Sequence, residues 1–182
     1  MNSFPKSGYA GVSLVELLIG IAIMGILLAL ALPSYRIWVQ NTQIRNAAES
    51  ILNGLQKAKA EAVARNTNIA FAFTNIASGV VADSSWNISV EAAASGIESR
   101  SAMEGSRNVR ITVTPAAATT ITFNSFGAVV ANSGASATFT QIDLDSSVLA
   151  PVDSADLRVT VGAGGNARMC DPNVSAPNTR AC

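Results

Sequence analysis

Histidine is absent from this sequence. Without an imidazole there is no ordinary general base for a serine or cysteine nucleophile, and no nucleophile–base pair can be named anywhere in the chain. Only two cysteines occur, Cys170 and Cys182, and they form no Cys-x-x-Cys or Cys/His cluster, so the usual zinc patterns are excluded and no cofactor is implied. Charge is also scarce, at 13% of residues, and the 12 Lys and Arg balance the 12 Asp and Glu. The whole chain therefore offers no field for a nucleic acid or polyanion, and any such binding must be local. There is no Gly-x-x-x-x-Gly-Lys phosphate loop and no dinucleotide fingerprint, and the glycines Gly162, Gly164 and Gly165 are followed by no helical pattern, so they read as a turn.

What is present is small and apolar. Ala, Ser, Thr, Asn and Gly abound, a composition that suits a small-residue β domain and argues against a charged disordered chain. The length of 182 residues accommodates one modest domain plus an anchor.

The anchor is explicit. Residues 12–32 form one apolar run in which Glu16 is the only charge, close to the ~20 residues needed to cross ~30 Å of hydrocarbon as a helix. A cleaved secretory signal is the rival reading, since Ala29-Leu30-Ala31 supplies a small-residue cut site. The run exceeds the usual signal core, however, its acid lies early in it, and Pro33 follows the cut.

Gly11-Val12-Ser13-Leu14-Val15-Glu16 resembles the prepilin processing signal: glycine, an apolar residue, Ser or Thr, Leu, an apolar residue, Glu. The type IV pilin-like family that carries this motif is processed by a membrane-embedded prepilin peptidase. The resemblance implies cleavage between Gly11 and Val12, a leader of residues 1–11 with Lys6 its only charge, and N-methylation of Val12. Family members usually begin the mature chain with Phe, where this one has Val12. Pro33 stands where pilins commonly carry a helix-kinking proline, and Gly20 and Gly25 are small residues of the kind that let membrane helices approach closely.

An acid in an apolar run costs up to about 2.5–3.5 kcal/mol at mid-bilayer, less near the interface, and calls for a partner. Cleavage after Gly11 creates an α-amino group four residues before Glu16, and in a polymer that amine can belong to the neighbouring copy, setting axial register. The plainer reading is that Glu16 snorkels to the headgroups. Beyond Pro33, Ile37, Ile44, Ala48, Ile51, Leu55, Ala58 and Ala62 keep mostly three- and four-residue spacing, with Arg45, Glu49, Gln56, Lys57 and Lys59 largely elsewhere. The spacing predicts an amphipathic helix continuing over 33–66, ~80 Å from residue 12 to about residue 65 at ~1.5 Å per residue. Gly54 marks a close helix–sheet contact or has no particular role.

From residue 67 the period shortens. Runs at 69–73, 86–90, 109–113, 119–123, 138–144 and 157–161 read as strands, separated by Gly, Ser, Asn, Asp and Pro clusters, which predicts a mostly antiparallel meander. Residues 158–161 and 166–170 look like a closing hairpin. The aromatic strand at Trp86, the Ile-Thr-Phe strand before Gly127 and this hairpin are similar to the GspH/FimT type of minor pilins and pseudopilins, and the Arg168-Met169-Cys170-Asp171-Pro172 ending with Cys182 favours the pilus branch. Cys170 and Cys182 read as a local disulfide if the compartment is oxidising, contributing roughly 2–4 kcal/mol, with two free thiols as the alternative. Asp143 and Asp145 share a strand face and read as a solvated strand end rather than a calcium pair.

Some members of that family bind DNA through a C-terminal Gly-Arg-x-Arg motif. Here the stretch is Gly165-Asn166-Ala167-Arg168, without the first arginine. Arg168 and Arg180, with Arg158, remain candidate phosphate contacts, offset by Asp153, Asp156 and Asp171, so weak and salt-sensitive.

The expected architecture is α+β and pilin-like: a long N-terminal helix, membrane-spanning over 12–32 and amphipathic over 33–66, packed on a β domain at 67–182 that ends in the disulfide loop. The expected function is that of a minor pilin, held in the bacterial inner membrane with a periplasmic C-terminal domain, then incorporated to prime or cap a type IV pilus. Its partners would be other pilins through the N-terminal helix, prepilin peptidase, and an inner-membrane assembly platform with its ATPase. A DNA-binding competence pilin and a type II secretion pseudopilin are the alternatives, and an enzyme is the class least supported.

Overall fold

The computed structural model describes residues 11–77, 80–91 and 95–182. One helix, α1, runs Leu14–Arg65. It is followed by β1 Ile69–Phe73, β2 Ile76–Ala77, β3 Val80–Val81, β4 Trp86–Val90, β5 Gly96–Arg100, β6 Val109–Thr114, β7 Thr120–Phe123, β8 Val129–Val130, β9 Gln141–Ser146, β10 Leu157–Val161 and β11 Ala167–Cys170. The chain divides into two compact units, 1–36 and 37–182.

Both ends of α1 have chemical causes. At the start, the Ser13 hydroxyl accepts the Glu16 backbone N–H at 3.2 Å, an N-cap that satisfies one of the otherwise orphaned donors of the first turn. At the end, Asn66 takes a left-handed conformation (φ 50°). There the Thr67 N–H reaches the Ala62 carbonyl and the Asn66 N–H reaches the Val63 carbonyl, the paired bonds of a Schellman stop. The helix thus ends at the residue where its apolar spacing gives out.

In the unit 37–182, α1 buries Ile44, Ala47, Ala48, Ile51, Leu55, Ala58 and Ala62 in one core with both larger sheets. The first sheet has the order β5-β4-β1-β7-β8 and the second β11-β10-β9-β6, with β2–β3 a separate pair. All the strand pairings are antiparallel. Small residues let the helix lie close: a Cβ on Gly54 would come within 2.8 Å of the Phe71 ring and 3.0 Å of the Trp86 ring. Those two rings stack at 5.3 Å, and the Trp86 indole N–H donates to the Ser50 hydroxyl at 3.0 Å.

The predicted strands at 69–73, 86–90 and 157–161 match β1, β4 and β10, and the closing hairpin is β10–β11. The meander is corrected to two sheets, because β1 pairs with β7 and β6 with β9 across long stretches of chain. The run 138–144 is also corrected. Thr138 makes only an isolated parallel bridge to Thr120, and β9 begins at Gln141. Between them Phe139 is fully buried beside Phe71 and Phe73 while the chain passes from one sheet to the other, so its apolarity reflects core packing rather than a ladder.

Candidate functional site

The N-terminal unit is where the chain's chemistry and its exposure disagree. Gly11, Val12 and Ser13 precede the helix and are exposed, and every residue from Leu14 to Arg36 on α1 is exposed. The apolar stretch has none of its most hydrophobic 18-residue window buried within the protein. A continuous apolar surface of this length has to be covered by lipid or by other protein.

Glu16 occupies the third helical position after the Ser13 cap. A carboxylate there faces the positive end of the helix dipole, which offsets part of its cost in an apolar setting. The Ser-x-x-Glu spacing is also that of a capping box. Sequence reasoning assigned Ser13 to the processing motif alone, although its spacing to Glu16 was the signal for a cap. Pro33 lies inside α1, which continues through it. Because proline has no N–H, the Ala29 carbonyl loses its helical donor at this point. Gly20 and Gly25 have nothing within 4 Å of a built Cβ, so neither packs against the rest of the described chain.

At the other end of the sequence, Cys170 and Cys182 are joined in a disulfide with a Cα–Cα distance of 5.1 Å. Arg168, on β11, donates to the backbone carbonyls of Ala181 at 3.1 Å and Cys182 at 3.0 Å, so its guanidinium clamps the loop that the disulfide closes. Arg158, diagonal to it on the same hairpin face, pairs with Asp143 at 2.5 Å. Two of the three arginines considered for phosphate contact are therefore already engaged. Arg180 has no ion pair among the described residues.

The two carboxylates that share a face of β9 do different things. Asp143 takes Arg158 and the Gln141 amide, whereas Asp145 accepts the Ser154 hydroxyl at 2.9 Å. That hydroxyl also lies 2.6 Å from Asp156, whose carboxyl is held above the usual carboxylate range by burial and by the neighbouring Asp145. Among the described residues no group of three or more His, Cys, Asp or Glu side chains is placed to hold a metal ion.

A third arrangement went unread in the sequence. Glu91, just after β4, accepts from the Ser133 N–H at 2.7 Å, the Asn68 amide at 3.1 Å and the Thr122 hydroxyl at 3.2 Å. Partial burial would raise its pKa, but these three donors together hold it below the ordinary range. It fastens the 3-10 turn Ser133–Ala135 to the first sheet. Nothing in the local sequence of a Val-Glu-Ala-Ala stretch announces those donors.

A family profile described as type II transport protein GspH matches residues 47–165, most of the 37–182 unit. The chain belongs to the GspH family. A second profile, the prokaryotic N-terminal methylation motif, matches residues 6–32 and so covers Gly11, Val12 and Glu16. No curated protein matches the chain. Among solved structures, a crystal structure of the type IV minor pilin FimU from Pseudomonas aeruginosa has a TM-score of 0.54 at 16% identity, covering 78% of this chain and 98% of that one. A second crystal form of FimU gives 0.52 at 17% identity, covering 74% and 98%. At these identities the likeness establishes a shared pilin-like fold. The protein is a type IV pilin-like member of the GspH/FimT type, with an N-methylation motif, an apolar N-terminal helix and a C-terminal disulfide. The GspH match ends before Cys170, so the disulfide loop and the Arg168 clamp are features of this chain beyond the matched region.

Proposed function

We propose that this GspH-family protein is a minor pilin of a type IV pilus, whose work is assembly and not catalysis. Prepilin peptidase cuts the leader 1–11 from the chain between Gly11 and Val12, and Val12 is methylated. Until assembly, residues 12–32 hold the protein in the bacterial inner membrane with its β domain in the periplasm. Copies or relatives then bundle through this helix, with burial worth ~25 cal/mol per Å² of apolar surface, and the subunit primes or caps the filament.

The observation that carries this reading is the helix 14–32, apolar and wholly uncovered, with Glu16 as its one charge. In a lone lipid-facing helix that carboxylate does no more than complement the helix N-terminus. In a stack of such helices the α-amino group of the next subunit can neutralise it at one register. Removal of Glu16 from an otherwise intact chain tests this: Glu16→Ala should stay in the membrane and fail to enter filaments. Entry at the parental level removes the mechanism. Mass spectrometry of the mature N-terminus tests processing, where methylated Val12 agrees with the reading and Leu32 as first residue overturns it.

A type II secretion pseudopilin is the second reading, favoured by the description of the matched family itself. Loss of protein export with intact piliation on deletion would select it. Direct DNA contact is the weakest, because Arg158 and Arg168 are spent on Asp143 and on the C-terminal carbonyls. Arg180→Ala should leave DNA retardation in a gel unchanged.

A further inference from the structure

Phe126 is the anomaly of the β domain: a phenylalanine 87% exposed at the tip of the turn between β7 and β8. The turn is not loose. Asn124 makes four hydrogen bonds within it: its side-chain oxygen accepts the Phe126 and Ala128 N–H groups, its carbonyl accepts the Gly127 N–H, and its N–H donates to Ala128. Gly127, at φ +75°, lies so close to Lys59 on α1 that a Cβ would come within 2.8 Å of that side chain. From the other side its carbonyl abuts Gly165, where a Cβ would lie 2.0 Å away. Lys59 in turn donates to the Gly164 carbonyl and the Asn166 side chain, both at 3.1 Å. Helix, turn and hairpin lock together beneath an aromatic ring that touches almost nothing.

The same domain has a cavity of about 580 Å³ between the middle of α1, at Trp38 to Arg45, and the β10–β11 hairpin with the disulfide loop. Trp38, Leu157 and Met169 give it apolar walls, Thr42 lines its helix side, and the guanidiniums of Arg45 and Arg180, with no ion pair among the described residues, share the lining with the carboxylates of Asp156 and Asp171. This is the size of an ordinary ligand pocket. Apolar walls with guanidiniums at the rim suit an aromatic ring, which gains both burial and a cation–π contact. Thr42 and Lys59 mark the two features along one helix, and at ~1.5 Å per residue they are ~25 Å apart along its axis. Knob and hole therefore lie toward opposite ends of the domain. One copy therefore cannot fill its own cavity.

We infer that Phe126 of one copy inserts into the Trp38–Leu157–Met169 cavity of a second copy of this chain, a head-to-tail contact between β domains. Where it is not reciprocated by a two-fold axis, a contact of this kind is heterologous, and it extends in one direction unless its rotation closes a ring. The inference rests on the assembly reading above and adds to the helix bundle a second, periplasmic contact. A preorganised aromatic anchor in a pocket is the usual composition of an interface hot spot, so loss of the ring should weaken self-association by roughly tenfold or more.

The test is cross-linking of the full chain in membranes. Cells co-express one copy carrying Phe126→Cys and another carrying Thr42→Cys, each with its native disulfide, and mild oxidation follows. A covalent dimer is expected from this pair and not from Met103→Cys with Thr42→Cys, since Met103 is exposed but belongs to neither feature. Leu17→Cys in both copies reports helix bundling independently. Helix cross-links without the Phe126–Thr42 dimer overturn the knob-and-hole contact and leave the assembly reading standing, whereas absence of both removes both. Equal cross-linking from Met103, or a Phe126 adduct only to a different protein, also overturns it.

Discussion

Replacing Gly54 by alanine sets two effects of known sign against each other. In the interior of a helix the change should stabilise, by up to about 1 kcal/mol of backbone propensity. The new methyl, however, falls 2.8 Å from the Phe71 ring and 3.0 Å from that of Trp86, both well inside contact distance. Neither ring has room to retreat. Phe71 is fully buried on the central strand β1, stacked on Trp86 and edge-on to Phe73 and Phe139, while Trp86 is held to Ser50 through its indole N–H. Overpacking a filled core typically costs about 1–3 kcal/mol, and disturbing the Trp86–Ser50 bond costs about 0.5–1.5 kcal/mol more. Repulsion should therefore win by about 1–3 kcal/mol, which for a unit of this size lowers Tm by roughly 3–10 °C. Thermal unfolding of the full chain in detergent, followed by near-ultraviolet circular dichroism, measures it. An unchanged or raised Tm would refute the packing argument, since propensity alone predicts a gain. Gly20→Ala is the control: its Cβ meets nothing, so the 37–182 unit should melt as in the parent.

Glu91→Gln should flatten the acid limb of the stability curve. A carboxylate whose folded pKa is lowered contributes stability above its unfolded pKa of about 4.3 and loses it as pH falls through the folded value, so the variant should differ from the parent at neutral pH and converge with it in strong acid, as read from Tm between about pH 7 and pH 2. Asp156→Asn should behave oppositely. Its raised folded pKa means that ionisation costs stability at neutral pH, so the variant should gain in Tm at pH 7, and the gain should vanish below the unfolded value of about 3.9. Replacing both Cys170 and Cys182 by alanine should cost about 3 kcal/mol, from the entropy of a loop closed at a sequence separation of 12, measured by denaturant unfolding.

Much of the architecture was legible because it is local. The apolar run, the three- and four-residue spacing up to Ala62 and the Asn66 stop are each written within a turn or two of the residues they govern, and α1 ends at Arg65, one residue short of the expected 33–66 segment. Strands buried on alternate positions, such as β6 with its Val109, Ile111 and Val113, were equally plain. β5 was missed because Gly96–Arg100 is an edge strand with charged and exposed positions and no clean alternation. The split into two sheets was missed because partner choice is non-local: nothing near Phe71 says that Ile121 will lie beside it. The same holds for function. The Gly11–Glu16 motif is a short linear signal and was read directly. The Glu91 donors, the engagement of Arg158 and Arg168, and the isolation of Phe126 all depend on chain segments tens of residues away.

The clamp at Gly127 and Gly165 has a genetic consequence. A collection of assembly-defective mutants should include lesions at Gly165, because even a single methyl there displaces the Gly127 carbonyl and tilts the neighbouring ring out of aim. Such alleles would map to the last hairpin of the domain yet behave in every phenotype like substitutions of Phe126, and compensating changes should arise around Lys59.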